Sequence, residues 1–140
     1  MGCVFCDIVT GKLPAARVLD EEAFIAFLDR KPLFHGHVLV IPRVHVATMA
    51  ALPADLAGTI FPVVQRMARA IELALDTQGT FVAMNDRVSQ SVPHVHAHVV
   101  PRRKGDGLKG FFWPRTKYGS DAEMDVVAAR IRAHLPPAPH

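Results

Sequence analysis

The sequence lacks the features that mark membrane, secreted and nucleic-acid-binding proteins. No uncharged apolar run approaches the roughly 20 residues that a helix needs to cross a bilayer. The N-terminus has no basic segment followed by an apolar stretch, so it does not look like a secretion signal. The formal net charge is only +3, from 16 Lys and Arg against 13 Asp and Glu, which is too small to indicate nucleic-acid binding. We therefore expect a soluble cytoplasmic protein with no membrane or nucleic-acid partner.

Cysteine is scarce, and its placement is more informative than its number. The sequence holds two cysteines, Cys3 and Cys6, which form a C-x-x-C pair. A lone disulfide is not expected in a reducing compartment, so the pair indicates metal ligation or redox chemistry. A thioredoxin-like redox role is the less favoured of the two, because the pair does not sit in a β-α-β pattern. Two ordinary cysteines without a function are the third possibility.

The pattern of apolar residues predicts the elements of one domain. A length of 140 residues is enough to bury a core without disulfide staples, and no internal repeat or linker divides the chain. Strands are predicted at residues 23–29, 37–41, 80–85 and 92–100, and helices at 53–76 and 120–134. Pro53 suits the first turn of the long helix, and Ser120 with Glu123 has the spacing of a capping box. Strands interrupted by one long helix predict an α+β fold with an antiparallel sheet.

Histidine is the unusual part of the composition. Five of the eight histidines fall in two tight groups, His35 with His37 and His94 with His96 and His98. On a strand, alternate side chains point to the same face about 6.6 Å apart, so the second group offers three imidazoles in a row. Three interpretations are open. They are histidines on a solvated face, a zinc site with three histidines and a water, and nucleophilic attack by a neutral imidazole.

The neighbours of the second group favour nucleophilic chemistry. Ser89, Gln90 and Ser91 offer small polar groups and backbone N–H donors that are able to hold a phosphate. Asn85, at the end of the preceding predicted strand, is placed to reach the same site. Hydrolysis by a zinc-bound water usually needs a carboxylate base nearby. No Asp or Glu lies between residues 88 and 103.

Three segments of the chain resemble the histidine-triad superfamily. The segment QSVPHVHAHVVPR at residues 90–102 resembles the family signature Q-x-V-x-H-x-H-x-H followed by apolar residues. The opening CVFCDIV at residues 3–9 looks like the start of the family. The segment GHVLVIPRVH at residues 36–45 looks like the family's G-H-x-L-V-I-P-x-x-H region.

This resemblance covers residues 3–103 with its spacing intact except at one loop. It implies a single domain over residues 1–140, with its core at 3–103 and an extension at 104–135 that contains the C-terminal helix. It also implies the histidine-triad fold, an antiparallel sheet with one long helix and a C-terminal helix, assembled as a homodimer.

By the same resemblance, His96 is the nucleophile, which attacks the α-phosphorus of a nucleotide and forms a nucleotidyl-histidine that water hydrolyses. His98 contacts the phosphate and the leaving group, and His94 completes the catalytic triad. The other implied contacts are Gln90, Ser91 and Val92 at the phosphate, Asp29 at the ribose, and Val4, Phe5, Ile8, Phe27 and Leu28 around the base. The sequence departs from the family in the loop after Asn85, which is short and has Ser89 in place of a glycine. Asn85 is the implied nucleotide contact that this departure affects.

Bacterial members of the family with a C-x-x-C opening imply a structural zinc site. The corresponding residues here are Cys3, Cys6, His45 and His94, which form a Cys₂His₂ set. Such a zinc would clamp the N-terminal segment and fix His94 without touching substrate. The resemblance therefore implies a structural zinc and a reaction that needs no cofactor.

The implied activity is that of a hydrolase or transferase that binds a purine nucleotide of the AMP type and cleaves the bond at its α-phosphate. The C-x-x-C pair favours the Hint-like branch, which cleaves nucleoside phosphoramidates. Arg30-Lys31-Pro32 and the basic segment 102–117 favour the Fhit-like branch, which cleaves dinucleoside polyphosphates. Aromatic residues at 110–114 suit stacking on a second base or packing against a partner subunit. Two other classes stay open, a nucleotide-binding regulator with little turnover and a zinc-dependent hydrolase that uses the three histidines.

Overall fold

The structure, a computed structural model, describes residues 2–108 and 115–138. The chain divides into two compact units, residues 1–106 and 107–140, which are described separately here. The aromatic segment 110–114, for which the sequence suggests stacking or subunit packing, lies outside the described residues.

The first unit holds one antiparallel sheet and two α-helices. Its elements in chain order are α1 (Val4–Thr10), β1 (Arg17–Asp20), β2 (Phe24–Leu28), β3 (Val38–Pro42), a 3₁₀ turn (Met49–Ala51), α2 (Ala54–Leu75), β4 (Gly79–Ala83) and β5 (Ala97–Arg102). The strands lie in the order β1-β2-β3-β5-β4, and every neighbouring pair is antiparallel. The α+β class with an antiparallel sheet is therefore confirmed. Helix α1 and strand β1 are additions that the sequence analysis did not predict.

The central strands are buried on both faces, and alternation divides their side chains between two cores. In β2, Phe24 and Ala26 pack toward α2, whereas Ile25 and Phe27 pack toward α1. In β5, Ala97 and Val99 belong to the α2 side. The side chain of His98 therefore projects to the α1 side of the sheet, where α1 leaves space for a cavity.

Helix α2 begins after Pro53 and ends at Leu75, close to the predicted range of 53–76. It covers one face of the sheet with the apolar residues Ile60, Val63, Val64, Met67 and Ile71. Each such side chain stabilises the fold by about 1.5–3 kcal/mol when it leaves water. The end of the helix is held by Arg103, whose guanidinium donates to the carbonyl of Leu75 at 2.7 Å.

The predicted strand at 92–100 is wrong at its start, because β5 begins only at Ala97. Pro93 has no N–H for a ladder. The next two N–H groups also leave the ladder, since His94 donates to the carbonyl of Val92 at 2.8 Å and Val95 to that of Val46 at 2.7 Å. His94 and His96 therefore precede the strand, and only His98 lies within it.

The second unit contains α3 (Asp121–Ala133), close to the predicted range of 120–134. The hydroxyl of Ser120 accepts from the N–H of Glu123 at 3.2 Å, as the capping-box spacing predicts. The carboxylate of Glu123 accepts from the N–H of Gly119, one residue earlier than the predicted reciprocal partner. Among the described residues, no helix combines the length and the apolar character that crossing a membrane requires.

Candidate active site

The ring of His96 is held in the tautomer that a nucleophile needs. The residue is 4% exposed, and its Nδ1–H donates to the backbone carbonyl of His94 at 2.8 Å. In the neutral ring with its proton on Nδ1, Nε2 carries the lone pair. The edge of Phe5 packs against the ring with centroids 5.0 Å apart. These contacts therefore fix the ring, and Nε2 of its neutral form is able to attack.

A chain of hydrogen bonds fixes the tautomer of His98. The N–H of Leu33 donates to Nδ1 of His37 at 3.1 Å, so the proton of that ring is on Nε2. Nε2 of His37 lies 3.0 Å from Nδ1 of His98 and donates to it. The proton of neutral His98 is therefore on Nε2, from which it can hydrogen-bond a substrate oxygen or nitrogen.

The neutral state of both rings follows from their surroundings. Burial above all, and then the nearby His96 and His37, lower the pKa of His98 to about 4, against a smaller opposing effect of Asp29. Burial also lowers the pKa of His37, while Asp29, whose Oδ2 lies 3.7 Å from Nε2 of His37, partly offsets this shift. Both imidazoles are therefore uncharged near neutral pH, as the tautomer chain requires.

His96 and His98 line a cavity of about 780 Å³. The lining comprises Val4, Phe5, Ile8, Pro14, Ala15, Ala16, Phe27, Leu28, Leu39 and Val92 together with Asp29, Arg30, Lys31, Ser91, His96 and His98. A cavity that combines many apolar side chains with a few polar groups is typical of small-molecule sites, and this lining suits a nucleotide base together with a phosphate.

A second cluster brings Cys3, Cys6, His45 and His94 together. Nδ1 of His94 lies 3.5 Å from Sγ of Cys3 and 3.6 Å from Sγ of Cys6, and Nδ1 of His45 lies 3.4 Å from Sγ of Cys6. All four potential ligand atoms lie within 4.8 Å of one another. Zinc bonds of about 2.3 Å to sulfur and about 2.0 Å to nitrogen, at tetrahedral angles, place sulfur and nitrogen about 3.5 Å apart. The cluster therefore has the dimensions of a tetrahedral zinc site.

The orientation of the His94 ring also suits a cation. Nε2–H of His94 donates to the carbonyl of Pro42 at 2.8 Å, which leaves the lone pair of Nδ1 directed at the sulfurs. Burial raises the pKa of the Cys6 thiol, and the neighbouring Cys3 and Asp7 raise it further. A bound dication would reverse this effect, because it stabilises the thiolates.

A model of the HIT domain family matches residues 10–105, which include the cavity histidines. The chain belongs to the HIT family. This membership and the fold confirm the resemblance that the sequence analysis identified.

Relatives and solved structures of the HIT family are similar to this chain over most of its length. An adenosine 5'-monophosphoramidase of Schizosaccharomyces pombe is 35% identical over 115 residues, covering 81% of this chain and 84% of that protein. A HIT family protein from Bacillus anthracis superposes with a TM-score of 0.87 at 31% identity, covering 96% of this chain and 98% of that chain. A zinc-bound histidine triad family protein from Mycobacterium smegmatis gives a TM-score of 0.74 at 38% identity, covering 95% and 96%.

Most of the predicted nucleotide contacts of this HIT domain line one cavity, but two do not. The cavity brings together the predicted base, ribose and phosphate contacts Val4, Phe5, Ile8, Phe27, Leu28, Asp29, Ser91 and Val92. Gln90 instead accepts from the N–H of Arg87 at 2.9 Å and donates to the carbonyl of Ala47 at 2.7 Å. Asn85 donates to the carbonyl of Ser89 at 3.2 Å. Both amides hold the shape of the loop, in which Arg87 and Ser89 have φ of 68° and 60°.

The three histidines of the signature do not converge on one point. The ring of His94 lies with the two cysteines, whereas His98 clusters with Asp29 and His37. This geometry does not support a zinc hydrolase with three histidine ligands. His37 had no predicted role, although its place in a tight histidine group was a signal. The hydrogen bond from Nε2–H of His94 to the carbonyl of Pro42 could not be predicted, because any residue at position 42 offers a backbone carbonyl.

Proposed function

We propose that this HIT-family chain is a hydrolase or transferase that moves the nucleotidyl group of an adenosine-type nucleotide through a covalent intermediate on His96. The observation that carries the proposal is the hydrogen bond from Nδ1 of His96 to the carbonyl of His94, which puts the proton of the neutral ring on Nδ1 and its lone pair on Nε2, beside a cavity of about 780 Å³. The adenosine 5'-monophosphoramidase relative supports an adenosine nucleotide with a phosphoramidate bond. A dinucleoside polyphosphate is the other substrate class.

In the first step, Nε2 of His96 forms a bond to the α-phosphorus, and the bond from phosphorus to the leaving group breaks. The electron pair of that bond departs with the leaving group, which accepts a hydrogen bond from Nε2–H of His98. An amine leaves from the phosphoramidate protonated on nitrogen by solvent, whereas a phosphate leaves as its anion. The modified ring of His96 becomes cationic, and the carbonyl of His94 stabilises its Nδ1–H. In the second step, water attacks the phosphorus and loses a proton to solvent, while the phosphorus–nitrogen bond breaks and its electron pair returns to Nε2 of His96, which releases the nucleoside monophosphate.

The cavity lining supports the placement of the nucleotide in this reaction. Phe5 and Phe27 pack edge to face, with centroids 5.4 Å apart, and supply an apolar wall for a purine. Asp29 has a carboxylate that is able to accept from ribose hydroxyls. Ser91 supplies a hydroxyl for the phosphate, close to the backbone of Val92.

We further propose that Cys3, Cys6, His45 and His94 bind a structural zinc. The zinc would tie the N-terminal helix to the segment that carries His94 and supply no step of the reaction. The sulfur-to-nitrogen distances and the zinc-bound relative support this assignment. A homodimer, a cytoplasmic location and a single domain over 1–140, with its core at 3–103 and an extension at 104–135, stay predictions of the sequence.

The decisive test is detection of the intermediate. The enzyme is mixed with adenosine 5'-phosphoramidate, quenched rapidly in alkaline denaturant and analysed by intact mass. We expect a mass increase of one adenylyl group that is absent in His96→Ala, while His96→Ala keeps its affinity for AMP. His35→Ala, an exposed histidine outside the reactive set, is the matched control and should form the adduct. A wild-type protein that binds AMP but gives neither adduct nor turnover would favour the regulator instead.

A further inference from the structure

The loop of residues 85–92 joins β4 to the histidine signature and supplies part of the cavity lining. Ser91 and Val92 are the two residues of this loop that line the cavity. Within the described ranges 2–108 and 115–138, neither the hydroxyl of Ser91 nor the backbone N–H groups of Ser91 and Val92 make a hydrogen bond. These donors are therefore free to bind an oxygen of a phosphate group.

The loop follows a strained path. Arg87 and Ser89 have φ of 68° and 60°, in the left-handed region where the Cβ of a residue other than glycine crowds the backbone. Both residues are exposed, so burial of their side chains does not offset this cost. Contacts elsewhere must then hold the loop in this conformation.

The carboxylate of Asp86 ties the start of the loop to the segment before α2. Its Oδ1 accepts from the N–H of Met49 at 2.7 Å, and its Oδ2 accepts from the N–H of Ala50 at 3.2 Å. Both oxygens of one carboxylate are thus used by consecutive backbone donors, and hydrogen bonds to a charged acceptor are stronger than neutral ones. This two-point contact fixes residue 86 relative to residues 49 and 50.

The end of the loop is tied to the same segment. Nε2 of Gln90 donates to the carbonyl of Ala47 at 2.7 Å, and Oε1 of Gln90 accepts from the N–H of Arg87 at 2.9 Å. The two anchors therefore meet at Arg87, which follows Asp86 directly and holds the amide of Gln90. Release of Asp86 would free Arg87 and, through Gln90, the backbone of Ser91.

We infer that Asp86 is a positioning residue for the phosphate of the bound nucleotide, an inference that rests on the proposed nucleotidyl transfer. Asp86 is not among the residues that line the cavity. It acts through Ser91, whose hydroxyl and N–H it keeps at the place of a non-bridging oxygen of the α-phosphate. That oxygen is charged in the bound substrate as well as in the transition state, so the contact contributes to binding in both.

The charge of Asp86 gives the substitution test a definite sign. Asp86→Asn removes a negative charge from a loop that meets an anion, and this change alone would tighten the binding of AMP. The amide of Asn has one acceptor oxygen, so only one of the N–H groups of Met49 and Ala50 keeps its partner. A weaker affinity for AMP in this variant therefore measures lost positioning, which outweighs the gain from charge.

The experiment compares AMP with adenosine, which has the same base and ribose but no phosphate. Calorimetric titration of Asp86→Asn should give a dissociation constant for AMP about 3- to 10-fold above that of the wild type, the effect of losing one hydrogen bond. The value for adenosine should change less than about twofold, because no hydrogen bond to the nucleoside is lost. With adenosine 5'-phosphoramidate, KM should rise with the dissociation constant for AMP, and kcat should stay within about threefold.

A double-mutant cycle tests whether Asp86 acts through Ser91. Ser91→Ala should weaken AMP binding about 3- to 10-fold in the wild type but less than about twofold in Asp86→Asn, where the hydroxyl is already misplaced. Asp125→Asn removes an exposed carboxylate of α3 by the same substitution, and this control should bind AMP as the wild type does.

Three results would overturn the inference and leave nucleotidyl transfer intact. They are unchanged or tighter binding of AMP by Asp86→Asn, equal losses for AMP and adenosine, and additive effects of the substitutions at Asp86 and Ser91. A wild type that binds adenosine as tightly as AMP, or that forms no adenylyl adduct, would instead overturn the proposed function.

Discussion

The hydrogen bonds of His37 allow its two roles to be separated by substitution. The ring is 3% exposed. Its Nδ1 accepts from the N–H of Leu33 at 3.1 Å, and its Nε2–H donates to His98 at 3.0 Å. An Asn at this position has a polar atom near the place of Nδ1 but does not reach His98. A Gln reaches the place of Nε2, where its amide can donate to His98, but leaves Leu33 without its acceptor.

We therefore expect His37→Asn to lose catalysis and His37→Gln to lose stability. A hydrogen bond of this kind contributes about 1–1.5 kcal/mol, so His37→Asn should lower kcat about 5- to 12-fold. KM should stay within about twofold, because no predicted contact with the nucleotide is removed. His37→Gln should keep most of kcat and lower the free energy of unfolding by about 1 kcal/mol, since the turn at Leu33 loses one anchor.

An NMR titration of His98 gives an independent measurement. The N–H of His37 stabilises the neutral form of His98, because it donates to the lone pair that a proton would otherwise occupy. His37→Asn should therefore raise the pKa of His98 from about 4 toward its ordinary value, and His37→Gln should raise it less. Equal kcat values and equal His98 titrations in the two variants would refute the proposed tautomer chain.

Three further predictions test other parts of the structure. Cys6→Ser should abolish stoichiometric zinc, measured by elemental analysis, and lower Tm, whereas zinc kept at one per chain would exclude the proposed cluster. Because burial lowers the pKa of His98, the unfolded chain binds more protons between pH 4 and 6.5. The free energy of unfolding should then fall on acidification through this window, with about 1–2 kcal/mol from His98 after solvent screening, and His98→Asn should flatten the urea-denaturation series. Gly36→Ala should lower the free energy of unfolding by about 1–3 kcal/mol in the same assay. Gly36 has a φ of 102°, and a Cβ at this position would overlap Cδ1 of Leu75. An unchanged denaturation midpoint would mean that the side chain of Leu75 moves aside.

The elements with strong periodic patterns were predictable, and the short ones were not. Helix α2 is long enough for its apolar residues to recur at helical spacing, and β2 and β3 are almost fully buried apolar runs. In both cases the order of apolar residues in the sequence indicates the element directly. Helix α1 has seven residues and is capped by the thiol of Cys3, which accepts from the N–H of Cys6 at 3.4 Å. A helix this short leaves little periodicity to detect. Its stability comes from Phe5 and Ile8, which pack against the sheet.

The residues near the site could be predicted from their types, but their hydrogen-bond partners could not. Gln90 and Asn85 are polar residues in a loop beside the phosphate position, and nothing in the sequence shows that their amides are used by backbone groups of the same loop and of residue 47. Such a pairing depends on the path of the loop, which the left-handed residues Arg87 and Ser89 determine. The proposed zinc ligands are separated by up to 91 residues, so their grouping came from the resemblance and not from local spacing.

The side chain and the backbone carbonyl of His94 make different contacts, so a single role for this residue is not enough. Its Nδ1 faces the thiols and its Nε2–H is held by Pro42, so the ring belongs to the metal cluster. Its backbone carbonyl accepts from Nδ1 of His96, so the same residue fixes the tautomer of the proposed nucleophile. A side-chain substitution removes the first function and leaves the carbonyl in the chain. Loss of activity in such a variant would therefore measure how far the metal cluster fixes the backbone at residue 94, and would give no measure of an imidazole acting on substrate.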